Sequence, residues 1–252
     1  DDVGATGREI YDNHPTKRMH CEMSSGLRVD GGKFGKAMMF PGTDENHPSG
    51  QTVYGAIRYA TCPSPFYVDN LNHYTFEFWA KLNPDLPLST GEVQKGNIQM
   101  QLQGAKDTDG NPSTGSLTAS LAVAREGVSM GWYDSQGDSG SNGCPYCFSL
   151  FGPAEIPSDQ WVHVVSTWNL DSNSNMTGTI FLNGKKLASK TSGPLAGADR
   201  YPIFGISSFT NASSNGSFGF IDEMRVYNRP LTEAEVKTMA DTYGLSPLPL
   251  PK

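Results

Sequence analysis

Several short segments of this 252-residue chain carry residue types that could do chemistry. Cys144-Pro145-Tyr146-Cys147 has the spacing of a redox dithiol, whose first thiol needs a helix N-terminus inside a βαβ unit to ionise. Phe148-Ser149-Leu150-Phe151-Gly152-Pro153 follows instead, strand-like and Pro-ended, so a structural loop disulfide is the expectation. Gly137-Asp138-Ser139-Gly140 has the form of a serine-protease nucleophile loop, but no segment supplies the His and Asp partners, and its Ser-Gly surroundings read as loop. Asp107-Thr108-Asp109-Gly110-Asn111 places oxygens at alternate positions. Its Gly comes one residue early for an EF-hand, and Thr118 stands where a bidentate Glu is needed, so an Asp-Gly turn fits better.

A different chemistry gathers around Trp132, Tyr133, Asp134, Gln136, Asn142 and Tyr146. Sugars are held by aromatic faces against C–H patches and by amides and carboxylates on hydroxyls, and these six residues supply both. They are the candidate ligand-binding residues. The stretch from Gly42 to Pro65, with Asp44, Glu45, Asn46, His47, Tyr54 and Tyr59, has the composition of either a binding rim or any long loop with an edge strand.

The elements that must position these residues are clearest near the C-terminus. Trp161-Val162-His163-Val164-Val165-Ser166-Thr167-Trp168 is short, β-branched and aromatic, as a buried strand is. Asn183-Gly184 between Gly178-Thr179-Ile180-Phe181-Leu182 and Lys185-Lys186-Leu187-Ala188 predicts a type I′ hairpin, which needs positive φ at both central residues. Strict alternation from Phe218 to Tyr227 puts Phe218, Phe220, Asp222, Met224 and Val226 on one face and Ile221, Glu223, Arg225 and Tyr227 on the other. Adjacent Asp222 and Glu223 then point to opposite faces. Thr232-Glu233-Ala234-Glu235 is a capping box, flanked by a Leu231/Val236 staple, with Gly244 as the stop of a short helix. Upstream, Ile98–Leu102, Leu117–Val123 and Val128–Tyr133 alternate as strands, the last two joined at Arg125-Glu126-Gly127. Residues 83–94 read as a Pro-rich loop.

The run from Trp161 to Trp168, the Gly178–Gly184 turn and Ile221-Asp222-Glu223-Met224-Arg225-Val226-Tyr227-Asn228-Arg229-Pro230-Leu231-Thr232 closely resemble the laminin G-like (concanavalin A-like) jelly-roll family. Gly35–Gly42 is similar to its first core strand and Tyr74–Lys81 to a central strand, so the resemblance spans roughly Gly35 to Tyr243. It implies an all-β fold, a two-sheet antiparallel jelly-roll sandwich with a short C-terminal helix. It also implies a choice of functions, since the family holds lectins, sugar-binding modules, adhesion domains and some enzymes. On such a sandwich the mixed face of the Tyr74–Lys81 strand, with Thr75, Glu77, Trp79 and Lys81, can be the concave surface that carries sugars, or Trp79 can be core. Family members often hold calcium at the rim, and here Asp44 and Asp222 are the candidate ligands, although Pro41 stands where the family usually has an Asp. Otherwise Asp222 is a satisfied structural carboxylate. A retaining glycosidase would show carboxylates on one strand face about 5–5.5 Å apart, and no such pair is present. A lyase constellation would draw on Gln99, Gln101, His163 and Arg225, but not in that family's settings, and His163 reads as a packed strand histidine.

Length fits one large sandwich: an arm at 1–34, the jelly-roll domain at 35–244 and a Pro-rich tail or linker at 245–252. A net charge of −7 and a pI near 5.2 disfavour nucleic acid and anionic membranes, and no apolar stretch approaches the ~20 residues of a membrane-inserted span. Four cysteines pair most economically as Cys21–Cys62 and Cys144–Cys147. Asn175, Asn211 and Asn215 head glycosylation sequons in segments read as loops, and the chain begins at Asp1 rather than Met, as after removal of a signal peptide. The expectation is a secreted, non-catalytic carbohydrate-binding domain whose partner is a glycan or polysaccharide. A matrix or cell-surface module binding a protein comes second, and a polysaccharide lyase or glycosidase with an unfamiliar site third.

Overall fold

The computed structural model describes residues 9–10, 21–23, 27–41, 57–58, 73–87, 93–104, 117–134, 148–173, 175–194, 202–206 and 218–245. In chain order these form β1 (Glu9–Ile10), β2 (Cys21–Met23), β3 (Leu27–Gly32), β4 (Gly35–Pro41), β5 (Ile57–Arg58), β6 (His73–Leu82), β7 (Leu86–Pro87) and β8 (Val93–Gln94). There follow β9 (Asn97–Gly104), β10 (Leu117–Ala124), β11 (Gly127–Asp134), β12 (Phe148–Pro153), β13 (Trp161–Leu170), β14 (Asn175–Leu182), β15 (Lys185–Pro194), β16 (Pro202–Ile206), β17 (Phe218–Tyr227) and the helix α1 (Glu233–Thr242).

Apart from the small β7–β8 ladder, which lies within the segment read as a loop, the strands pair antiparallel into two sheets joined at a single register pair, Phe218 with Asn97. The first sheet runs β3–β4–β17–β6–β13–β14–β15 and the second β1–β2–β5–β16–β9–β10–β11–β12. Their inner faces share one core. Phe76, Phe78, Ala80 and Leu82 of β6 and Val162, Val164 and Trp168 of β13 meet Leu121, Val123, Val128, Met130, Phe148 and Leu150 of the second sheet. Each Val, Leu, Phe or Met among them contributes about 1.5–3 kcal/mol by leaving water. At the far edge the sheets approach closely: a Cβ on Gly152 would come within 2.8 Å of Leu187, and one on Gly178 within 2.6 Å of Phe148. Part of the segment expected as an arm belongs to these sheets, through β1, β2 and β3.

The local signals near the C-terminus are realised as read. Asn183 and Gly184 take φ of 47° and 77°, and Thr232 and Glu235 form both halves of the capping box. The alternation of β17 is not realised. Between Asp222 and Arg225 the pairing with β6 slips, so that Glu223 and Met224 oppose one residue, and Glu223 adopts the left-handed region at φ 47°. A bulge of this kind resets the phase of a strand. Asp222 therefore pairs beside Trp79, Arg225 beside Glu77 and Tyr227 beside Thr75, all on the side away from the main core, while Ile221, Met224 and Val226 face the core. The expectation that Asp222 shares a face with Met224 and Val226 is corrected by this slip.

Candidate functional site

The two outer faces of the sandwich differ completely. On the first sheet, Thr75, Glu77 and Trp79 of β6 alternate with core residues and are nonetheless fully buried, because helix α1 and the β3–β4 turn lie over them. Thr75 Oγ1 donates to the Arg229 carbonyl and accepts from the Leu231 amide, both at 2.9 Å, fixing the chain as it enters the helix. Leu231 and Val236 close over Val165 and Phe181 of β13 and β14 as a second apolar cluster. Gly184 lies so close to the helix that a Cβ there would stand 2.3 Å from Ala240. Asn183 holds the same turn to β13, donating its amide to the His163 carbonyl and accepting the His163 amide on Oδ1, both at 2.8 Å.

Beneath this cover is a cluster that looks catalytic. The Glu77 carboxylate is 3.1 Å from His163 Nε2 and 3.1 Å from Arg225 Nη1, and its other oxygen accepts from the Tyr227 hydroxyl. Arg225 also donates to the Tyr243 hydroxyl at 2.8 Å and to Glu223. Burial alone would raise the Glu77 carboxyl, but the His163 and Tyr227 hydrogen bonds and the Arg225 charge overcome it and hold the group below the usual carboxylate range. Burial and the bond to Glu77 raise Tyr227. The side chains of Glu77 and His163 are both 0% exposed, so neither reaches a substrate as packed. His163 Nδ1 has no hydrogen-bond partner among the described residues, and the ring is held by packing on Trp79 and Tyr243, with centroids 5.1 and 5.5 Å away. The arrangement is a charge-satisfied clamp joining β6, β13 and β17 to the end of α1. Sequence reasoning missed it because its members are far apart in the chain, Tyr227 and Glu77 by 150 residues.

Asp222 belongs to the same face. Its Oδ2 accepts the Phe34 amide at 3.0 Å and its Oδ1 the Glu223 amide at 2.8 Å, and a Cβ on Gly32 would press within 2.8 Å of it. Each oxygen thus accepts one backbone donor, the arrangement of a satisfied structural carboxylate. Asp44 lies outside the described residues. Among those described, no group of three His, Cys, Asp or Glu could hold a metal.

The second sheet presents the opposite face. In register, Gln99, Ala122, Ser129 and Phe151 form one row across β9–β12, and Gln101, Ser120, Gly131 and Ser149 the next. Ala122 and Ser129 are half-buried, Ser149 is exposed and the Phe151 ring is 52% exposed. Among the described side chains of these rows, small residues on β10 and β11 adjoin the exposed Phe151 of β12.

The candidate ligand residues divide. On β11, Trp132 shares the register parity of Val128 and Met130, whereas Tyr133 shares that of Ser129 and Gly131 and pairs with Thr118, and Asp134 ends the strand. Gln136, Asn142 and Tyr146 lie outside the described residues, as do Cys62, Cys144, Cys147, Asn211 and Asn215. Cys21 opens β2. Asn175 is not in a loop but begins β14, with its Nδ2 donating to Asp171 Oδ2 at 2.9 Å. Trp79 is buried under Phe34, Lys33 and Tyr243, so the Thr75–Glu77–Trp79 part of the mixed face of β6 is not an open sugar-carrying surface, while Lys81 at its end is only half-buried. Among the described residues no helix is long and apolar enough to cross a membrane.

Solved structures share this architecture at low identity. A structure of botulinum neurotoxin type C, whose cell entry depends on two ganglioside molecules, aligns with a TM-score of 0.57 at 13% identity over 94% of this chain and 51% of that one. The receptor-binding domain of a botulinum neurotoxin C/D mosaic gives 0.55 at 10% over 93% and 51%. A sialidase of Trypanosoma rangeli gives 0.51 at 14% over 88% and 29%. This chain thus spans about half the length of the two toxin chains and under a third of the sialidase. At such identities the likeness is one of fold. No curated protein matches the chain. A family model does, over residues 55–237, within the span the sequence suggests and taking in β5 to β17 and the first half of α1: the chain belongs to the laminin G-like members of the concanavalin A-like lectin/glucanase superfamily, a jelly-roll sandwich of lectin type.

Proposed function

We propose that this chain is an extracellular, non-catalytic glycan-binding domain whose platform is the outer face of the second sheet. The observation that carries this reading is the exposed Phe151 ring, in one row with Ser129, Ala122 and Gln99 on the sheet face that helix α1 does not cover. A ring open to solvent beside small residues accepts the flat C–H face of a pyranose, and neighbouring amide and hydroxyl positions take its hydroxyls. Tyr133 extends the same face by one row. Proteins of the same fold bear on the reading, among them the neurotoxin that interacts with gangliosides. Secretion is the compartment that four cysteines, an even number able to pair, and three sequons suit.

The test is binding of the purified chain to a broad glycan and polysaccharide array, with calcium and with EDTA, for wild type and Phe151→Ala. Saturable binding that Phe151→Ala weakens about tenfold is the expected result. Loss in EDTA would add a calcium-dependent contact, for which Asp44 is the candidate ligand. Binding unaltered by Phe151→Ala would move the platform elsewhere, and no binding across the array would turn the search to a protein partner.

A further inference from the structure

We propose that the outer face of the first sheet carries, beyond the end of helix α1, a second saccharide site selective for acidic sugars, built from Lys33, Lys81, Trp161 and Phe220. It is separate from the Phe151 face and does not depend on it. Trp161, Lys81 and Phe220 are register partners across β13, β6 and β17, one pair of positions along from the His163, Trp79 and Asp222 row. The Lys81 ammonium lies 4.2 Å from the Phe220 ring centroid and 5.6 Å from that of Trp161, and the two rings meet edge to face at 6.3 Å. From the adjoining β3–β4 turn, Lys33 places its ammonium 4.6 Å over Trp79 and 5.9 Å from Phe34, whose ring is 44% exposed.

Two features set these lysines apart. Lys36, Lys95, Lys186 and Lys237 each pair with a carboxylate, whereas among the described residues none lies within ion-pair distance of Lys33 or Lys81. The acids on this face are engaged elsewhere: Asp222 accepts two backbone amides, and Glu223 is held by Arg225. An ammonium over an aromatic face is positioned without being neutralised, so its charge stays available to an incoming anion. The chain as a whole is acidic at −7, which makes the attraction local to this patch rather than a general affinity for polyanions. A carboxylate on a sugar satisfies the lysines, and the C–H face of the same ring lies against the half-buried Trp161 and the exposed Phe34. A neutral sugar supplies only the second contact and a simple anion only the first.

The experiment titrates the intact chain, by calorimetry, with oligogalacturonate and with sialyllactose. Controls are methyl-esterified oligogalacturonate, which keeps the rings and loses the charge, and polyglutamate, which does the reverse. Saturable binding of at least one acidic sugar is expected, with neither control matching it. Lys81→Gln and Lys33→Gln should each weaken it about tenfold, as loss of one charge-assisted contact does. Lys81→Arg should retain it, and so should Phe151→Ala, which separates this site from the other face. Failure of both acidic sugars, equal binding of either control, or indifference to the two Lys→Gln changes in folded protein would overturn the proposal.

Discussion

The outer faces of the two sheets follow the same period-2 alternation and end in opposite states. On the first, Thr75, Glu77, His163 and Thr167 are drawn inside by the helix and the β3–β4 turn. On the second, Ser149 and Phe151 remain in solvent. By residue type the first face is the richer candidate for chemistry, since it holds an acid, a histidine, an arginine and two tyrosines within reach of one another. Its polar groups are there to satisfy each other under a lid. The poorer face, with Ala122, Ser129, Ser149 and Phe151, is the one whose described side chains helix α1 leaves uncovered. Polar alternation along a strand therefore identifies a face that is not core, and only what packs above it decides whether that face is a site.

The sharpest way to break this contrast is Glu77→Ala. It leaves Arg225, His163 and Tyr227 without their shared acceptor in a buried setting, and removing one partner of a buried ion pair costs about 3–5 kcal/mol. The lower end applies because Arg225 is 41% exposed and can turn to water. Urea denaturation should show this loss, while Ser129→Ala on the open face should stay within about 0.5 kcal/mol. A matching loss at both positions would mean that the second face is as closely packed as the first.

Acid should dissect the same clamp. Glu77 is held below its ordinary range in the folded state, so the stability it contributes is present above the unfolded carboxyl value of about 4.3. It is lost as pH falls through the lower folded value. Stability of the wild type should drop below about pH 4 more steeply than that of Glu77→Gln, followed by thermal unfolding between pH 7 and pH 3. Parallel acid slopes would remove Glu77 from the linkage.

The helix that makes the first face a closed one can be loosened from two sides. Gly184→Ala forces a Cβ against Ala240 at a residue with φ 77°, and overpacking of this kind costs about 1–3 kcal/mol. Thr232→Ala removes the cap from α1 and should cost about 1 kcal/mol. Both should raise amide exchange in α1 before they alter exchange in β10 or β11.

What could be read from the sequence divides along the same line. The Asn183-Gly184 turn and the Thr232/Glu235 cap are legible because each is decided by residues two to four apart, through φ and a local hydrogen bond. The sandwich is legible because strand alternation and the family resemblance agree. The phase of β17 is not, since the bulge at Glu223 exists to bring Asp222, Arg225 and Tyr227 onto one face, and that need arises from Trp79, Glu77 and Thr75 on another strand. The clamp is illegible for the same reason. Among the six candidate ligand residues, Trp132 and Tyr133 are separated by register parity alone, one with Val128 and Met130 and one with Ser129 and Gly131, which composition could not distinguish.

Phe151→Ala carries the smallest expected change in stability and the most information about function. The ring is 52% exposed and pairs across from Ser129, so truncating it should shift the unfolding midpoint by no more than about 0.5 kcal/mol. On the proposed reading, this exposed ring contributes little to the fold and makes its main contact with the ligand. Its loss should weaken glycan affinity about tenfold, the equivalent of ~1.4 kcal/mol and within reach of one aromatic stacking contact. The comparison between the faces would then be complete in energetic terms: Glu77 affecting folding far more than binding, and Phe151 affecting binding far more than folding. Reversal at either residue would place the ligand under the helix instead.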